Sequence, residues 1–201
     1  FTLFMAKLDL KVNVSKTFSM VCGAGVRGGG PSFFLNRRPI ENAINFPYLG
    51  VIFNNRGSWA PNITHRNNAF LREVLALRIF SAKIGKKSVL HLLKIYKARC
   101  VPTATYGAGL WGGVFYKSLA ITENKFLRNI LAVPQSTSSY LCHCELGTVP
   151  ISDLIYSAPA TLWLKVWTAD EAVLNRKILL DCLSLDKKYR GLLVLQKFLM
   201  I

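Results

Sequence analysis

The spacing of apolar residues changes along the chain, and this change limits the folds that the sequence can adopt. Near the start, residues 8–14 alternate between apolar and polar, which is the period of a β-strand. From Ala69 onward, apolar residues such as Phe70, Val74 and Leu77 recur at helical spacing. This order predicts an α+β fold, with a small antiparallel β hairpin or sheet at the N-terminal end and a mainly α-helical remainder.

Basic residues greatly outnumber acidic ones, and they are unevenly distributed. The chain has 26 Lys and Arg against 10 Asp and Glu, a formal net charge of +16. Residues 1–101 hold 16 basic and 3 acidic residues, whereas residues 102–201 hold 10 and 7. A chain this basic usually binds a polyanion, either nucleic acid or an anionic membrane surface, and the first half is expected to face it. The alternative is a scattered, solvated basic surface.

The sequence predicts neither a membrane span nor a disulfide framework. The longest uncharged run, residues 100–116, has only 17 residues and contains Pro102 and four glycines. The five cysteines show no framework spacing, which favours reduced thiols in an intracellular compartment. No signal peptide is evident and the chain starts at Phe1, so we expect a piece of a longer chain.

Two consecutive helices are predicted to carry a basic ridge. The first begins near Ala69 and stops at Gly85. Ser88 is a suitable N-cap for the second, which extends to about Arg99. The ridge consists of five lysines, namely Lys83, Lys86, Lys87, Lys94 and Lys97.

Three other segments have simpler interpretations. The Gly-rich residues 23–31 are predicted to be a hairpin connection, because the strand-like "PSFFLN" follows them where a phosphate loop needs a helix. Residues 101–113 are predicted to be a hydrophobic connection, with helices from about Ser118 and again after residue 150. Cys142, His143 and Cys144 are adjacent, which is the wrong spacing for a structural zinc site if they lie on a strand.

Several sequence blocks, taken in order, resemble one known family. The blocks are "LKVNVSKT", "FPYLGVIF", "GSWAPNI", "VPTATYGAGLWG", "NKFLRNILAVP" and "ELGTVP". Together they resemble the C-terminal palm, primer-grip and thumb portion of reverse transcriptases from LINE-type (non-LTR) retrotransposons, over residues 5–167. The resemblance implies a palm end with a primer-grip hairpin over residues 1–57, a helical thumb over 58–133 and a helical extension over 134–201.

The resemblance also implies roles for individual residues. Lys16 matches the palm lysine that lies near the incoming nucleotide, where a cation can offset phosphate charge and donate a proton. Phe46, Tyr48, Leu49 and Gly50 match the primer grip, which holds the 3′ end of the primer. The five ridge lysines would contact the backbone of an RNA/DNA template–primer duplex.

The carboxylates that such a polymerase needs are missing. The family binds two Mg²⁺ ions through an Asp-Asp pair, and this chain has none. Its five aspartates are Asp9, Asp153, Asp170, Asp181 and Asp186. We therefore expect no cofactor in this chain and no polymerase activity from it alone, although the parent enzyme would use Mg²⁺. The missing N-terminal palm and fingers are expected as partners.

Two other functions remain open at this point. The chain could be a non-enzymatic nucleic-acid-binding or assembly module that needs the basic ridge but not the primer grip. It could also be a peripheral membrane protein that uses residues 100–116, although we expect no membrane partner. The resemblance implies an intracellular location, both nuclear and cytoplasmic.

Overall fold

The chain folds into two compact units, Phe1–Asn62 and Ile63–Ile201. The computed structural model describes residues 9, 12–22, 32–35, 37–84, 89–113, 117–170 and 173–184. The first unit contains the strands, and the second is helical, so the predicted α+β fold is confirmed. The division of a thumb from an extension near residue 133 stays a prediction.

A small mixed sheet forms the first part of the N-terminal unit. Its strands are β1 (Phe18–Ser19), β2 (Phe33–Leu35) and β3 (Arg38–Asn42), in the order β1-β3-β2. Strand β3 pairs antiparallel with β2 and parallel with β1. The Gly-rich residues 23–31 lie outside the described residues.

The residues Asn13, Ser15 and Lys16 favour a turn in the sequence, and this prediction is confirmed by the 3₁₀ turn Val14–Lys16, which ends the strand pattern of residues 8–14. Asn13 stabilises this turn locally. Its side-chain oxygen accepts hydrogen bonds from the backbone N–H of Ser15 at 3.0 Å and from the Ser15 hydroxyl at 2.7 Å. Such side-chain-to-backbone bonds compete with sheet pairing, and period-two spacing cannot reveal them.

The segment "FPYLGVIF" forms a two-stranded hairpin. Strand β4 (Asn45–Tyr48) pairs antiparallel with β5 (Val51–Asn54), and Tyr48 lies opposite Val51. Leu49 and Gly50 make the connection with φ of 47° and 78°. Positive φ at both central residues is typical of a type I′ turn, whose twist matches that of the flanking strands.

The remaining described residues are mainly helical. The helices are α1 (Ala60–Ile84), α2 (Val89–Ile95), α3 (Val101–Thr105), α4 (Ala108–Trp111), α5 (Lys117–Leu131), α6 (Ser139–Leu146), α7 (Ile151–Trp167) and α8 (Leu174–Ser184). A single π-helical turn, Tyr96–Cys100, joins α2 to α3, so the α-helix predicted to reach Arg99 ends at Ile95.

Helix α1 begins nearer the N-terminus than predicted. It starts at Ala60, whereas the apolar spacing indicated Ala69. The buried positions in its first turns include the polar side chains Asn62 and Arg66 beside Ile63. The side-chain oxygen of Asn62 accepts a hydrogen bond from the Ile52 N–H at 3.0 Å. Buried polar residues interrupt the apolar periodicity, which explains the missed turns.

The predicted connection over residues 101–113 is instead two short helices in the core of the helical unit. Ala104, Ala108 and Trp111 are fully buried. A Cβ on Gly112 would collide with the backbone oxygen of Ile155, so this glycine allows α4 to pack closely against α7. The uncharged run therefore contributes mainly to packing.

Cys142, His143 and Cys144 lie on helix α6, which corrects the strand assumed for them. Cys142 and His143 are buried, whereas Cys144 is exposed. No group of three or more His, Cys, Asp or Glu side chains among the described residues is placed to bind a metal ion.

Candidate nucleic-acid interface

The hairpin places the predicted primer-grip residues at or near one exposed tip. Tyr48 and Leu49 are 58% and 74% exposed. Phe46 is half-buried, and its ring centroid lies 5.8 Å from that of Phe18. Phe46 therefore anchors the hairpin within its unit, while Tyr48 and Leu49 present apolar surface at the turn.

Leu49 occupies a conformation that its side chain disfavours. Left-handed backbone costs a residue with a Cβ about 1–2 kcal/mol, and type I′ turns favour Asn-Gly over Leu-Gly. Exposed Leu49 offsets little of this cost by burial. Local strain of this kind concentrates at functional sites, so the turn is a candidate contact surface.

Lys16 lies at the end of the 3₁₀ turn in the same unit as the hairpin, and it is exposed. Its backbone N–H donates to the Asn13 carbonyl oxygen at 3.2 Å. The structure thus fixes the backbone of Lys16 and leaves its side chain accessible. Its role near a nucleotide stays a prediction.

In the helical unit, one exposed face of α1 carries basic side chains in line. His65, Arg72 and Lys83 follow one another at spacings that fall on the same face of the helix. Arg72 and Lys83 are separated by roughly 16 Å along the helix axis. Arg72 was left out of the predicted ridge, which consisted of lysines only, although the apolar spacing of Phe70, Val74 and Leu77 already placed it away from the buried side of α1.

Burial and nearby positive charges on this face both affect the pKa of His65. Partial burial and the neighbouring Arg66 and Arg72 charges lower the pKa of His65 from 6.5, so its ring is mainly neutral at neutral pH. A phosphate bound beside it would reverse this effect, because an anion favours the imidazolium form. His65 can therefore report on anion binding.

The second cluster of cations lies on α2 and the π turn. Lys94 and Lys97 are both exposed, and the Lys97 ammonium donates to the Gly147 carbonyl oxygen at 3.2 Å. Arg99 is ion-paired with Glu73 of α1. Lys86 and Lys87 lie outside the described residues, so the structure describes Lys83, Lys94 and Lys97 of the predicted ridge.

A buried carboxylate holds the segment that carries Lys97. Glu123 on α5 is only 1% exposed, and it accepts hydrogen bonds from Tyr96 Oη at 2.7 Å and from the Ile151 N–H at 2.8 Å. His143 Nε2 lies 3.8 Å from the Glu123 carboxylate, and His143 Nδ1 is 2.9 Å from Thr148 Oγ1. Glu123 thereby joins α5, the π turn, α6 and α7.

Burial shifts the pKa values of Glu123 and His143 in the directions that favour their neutral forms. Desolvation raises the pKa of Glu123 above 4.5, although the hydrogen bonds from Ile151 and Tyr96 oppose the shift. Desolvation also lowers the pKa of His143 below 6.5. Glu123 was missed in the sequence, where the available signal was a charged residue on the apolar face of α5 between Leu119 and Phe126.

The described residues do not fit the metal site of a polymerase. No group of three or more His, Cys, Asp or Glu side chains among them is placed to hold Mg²⁺, and the sequence has no Asp-Asp pair. The features described above that can contact a polyanion are exposed cations and exposed apolar residues.

Comparison of the chain with protein-family models, with curated proteins and with solved structures finds no match in any of the three. Within the described part of the chain, no helix combines the length and apolar character needed to cross a bilayer.

Proposed function

We propose that this chain binds a template–primer duplex as the primer-gripping and thumb portion of a LINE-type reverse transcriptase. It would act with a palm and fingers supplied upstream, in the nuclear and cytoplasmic locations that the resemblance implies. Without the metal-binding aspartates it would bind duplex and catalyse no extension by itself.

The observation that carries this proposal is the set of exposed cations on the helical unit of a chain with net charge +16. Four of these cations are Arg72 and Lys83 on α1, Lys94 on α2 and Lys97 on the π-helical turn. Phosphate contacts by such side chains give strong binding with little dependence on base sequence. The exposed, strained tip at Leu49 adds support in the other unit.

Salt dependence tests the proposal directly. Fluorescence anisotropy with a labelled RNA–DNA duplex should give an affinity that falls steeply as salt concentration rises. Five phosphate contacts correspond to a log–log slope of about −4.5, using the value for duplex DNA. An affinity that does not change with salt would refute phosphate-based binding.

A pair of charge variants tests whether the interface is localised. Lys83→Gln and Lys94→Gln should each reduce the magnitude of the salt slope by about one unit. Lys165→Gln is the matched control, because Lys165 is also exposed but lies on α7. Equal effects from all three substitutions would indicate attraction by net charge alone.

A non-enzymatic basic binding module remains the second candidate function, since it needs the same cations. It does not need a primer end at the hairpin tip. A photo-crosslinking amino acid at position 48 separates the two functions: a crosslink to the primer 3′ end supports a primer grip. Duplex binding with no crosslink to that end favours the simple module.

A further inference from the structure

A groove in the helical unit is lined by residues other than the proposed phosphate contacts. It lies between the second half of α1, α2 and the end of α5, and its volume is about 600 Å³. This volume falls within the range of roughly 300–1,000 Å³ that is typical of ligand clefts. Leu77, Leu92 and Ile130 contribute aliphatic surface to the groove.

A polar pair lies within this mainly aliphatic lining. With its amide oxygen facing α1, Asn129 accepts hydrogen bonds from Arg78 Nε at 3.0 Å and from Arg78 Nη2 at 3.1 Å. A guanidinium has five N–H donors, so Arg78 can bind a carboxylate while it keeps Asn129 as a partner. Arg78 is exposed, which makes it accessible to such a group.

The three helices around the groove are rich in cations. Alongside Arg78, their side chains include Arg72 and Lys83 on α1, Lys94 on α2, and Lys125 and Arg128 on α5. Of the acidic residues on α1 and α5, Glu73 is ion-paired with Arg99 and Glu123 is buried. The local field therefore favours an acidic occupant.

From this combination of shape and charge, we propose that the groove is a docking site for an acidic amphipathic helix of a partner protein. Such a helix places apolar side chains in a groove at intervals of about three to four residues. A carboxylate on the same helix would pair with Arg78. A second copy of this chain is disfavoured, because each copy carries +16.

Nucleic acid fits this groove less well than a peptide does. Proteins that bind single strands stack the bases on exposed aromatic side chains. Phe126 is the aromatic residue among those that line the groove in the described part of the chain, and it is buried. The aliphatic lining instead matches leucine-like side chains.

The test uses the full chain and a synthetic peptide of about 15 residues, with leucines at helical spacing and one central glutamate. Anisotropy measures its affinity, and amide chemical shifts locate it. We expect shifts at the groove residues, and binding roughly tenfold weaker after Arg78→Gln. Ala82→Trp, which fills the groove from an exposed position on α1, should abolish peptide binding and leave duplex binding unchanged.

Arg72→Gln is the matched control, since it removes the same charge from the same helix without lining the groove. It should change peptide affinity much less than Arg78→Gln does. Failure of the acidic peptide to bind, or equal effects of the two substitutions, would overturn the proposal. Loss of duplex binding in Ala82→Trp would assign the groove to nucleic acid instead. Circular dichroism of each variant checks that it is folded.

Discussion

Removing one hydroxyl tests whether the buried Glu123 network stabilises the helical unit. In Tyr96→Phe the ring remains, with its stacking on Phe126 at a centroid distance of 5.0 Å, but the 2.7 Å hydrogen bond to Glu123 is lost. Tyr96 and Glu123 are each 1% exposed, so water cannot easily replace the missing donor. The substitution should therefore remove this hydrogen bond and leave the packing of the ring unchanged.

The size of the effect follows from the chemistry of the acceptor. Removing the hydroxyl leaves a buried carboxyl oxygen without one partner, which costs about 1–3 kcal/mol, so we expect the free energy of unfolding to fall by about 2 kcal/mol. With a urea m-value of roughly 2 kcal/mol/M, the unfolding midpoint should fall by about 1 M. Tryptophan fluorescence is a suitable probe, because Trp111, Trp163 and Trp167 lie in the helical unit.

Tyr140→Phe provides the matched control. It removes the same hydroxyl, but Tyr140 is 73% exposed on α6. Its free energy of unfolding should stay within about 0.5 kcal/mol of the unmodified chain. If Tyr96→Phe were as mild as this control, the Glu123 bond would not stabilise the unit as argued.

Four further outcomes are expected. The pKa of Glu123 is raised in the folded chain, so the free energy of unfolding should decrease as pH rises from 4.5 through the folded pKa. Glu123→Gln should remove this decrease, as measured by urea unfolding at a series of pH values. Leu49→Asn should raise stability by about 1 kcal/mol in denaturant unfolding of the N-terminal unit, because Asn tolerates positive φ; no gain would argue against a strained turn. Gly112→Ala should lower the thermal midpoint through a loss of at least about 2 kcal/mol, since its Cβ meets the Ile155 backbone, and an unchanged midpoint would contradict this packing. Binding of duplex should raise the pKa of His65, measured by NMR titration of its ring, and a constant pKa would place the phosphates elsewhere.

Helices α5 and α7 were the parts best predicted from sequence. Their signals are local, namely apolar residues at helical spacing, with Pro134 just past the end of α5. The hairpin was implied by the resemblance alone, and its turn at Leu49-Gly50 was not predicted, because Leu is unfavourable at positive φ. The first turns of α1 were missed because the buried Asn62 and Arg66 break the apolar pattern. Helices α3 and α4 were missed because glycines in this segment were interpreted as signs of a loop, whereas in the fold Gly112 allows α4 to pack closely against α7.

The candidate interface divides in the same way. Net charge, its concentration in the first half and the positions of the lysines are properties of the sequence. Other features depend on which helix faces are covered in the fold. These are the exposure of Arg72 and Lys83, the ion pair of Arg99 with Glu73, and the hydrogen bond from Lys97 to Gly147. Residues 50 apart in the chain meet in that last contact, which no local pattern encodes.

By itself, then, the sequence determined that a part with strands precedes a mainly helical part, the basic character and the lack of paired aspartates, because these depend on residue type and short-range spacing. Only the tertiary structure decided that Glu123 is a buried acceptor for Tyr96 and Ile151, and that Leu77, Arg78 and Asn129 share one groove. A side chain becomes buried and gains such hydrogen-bonding partners when segments that are distant in the sequence pack together. The same glutamate or arginine would be an ordinary solvated charge on an isolated helix.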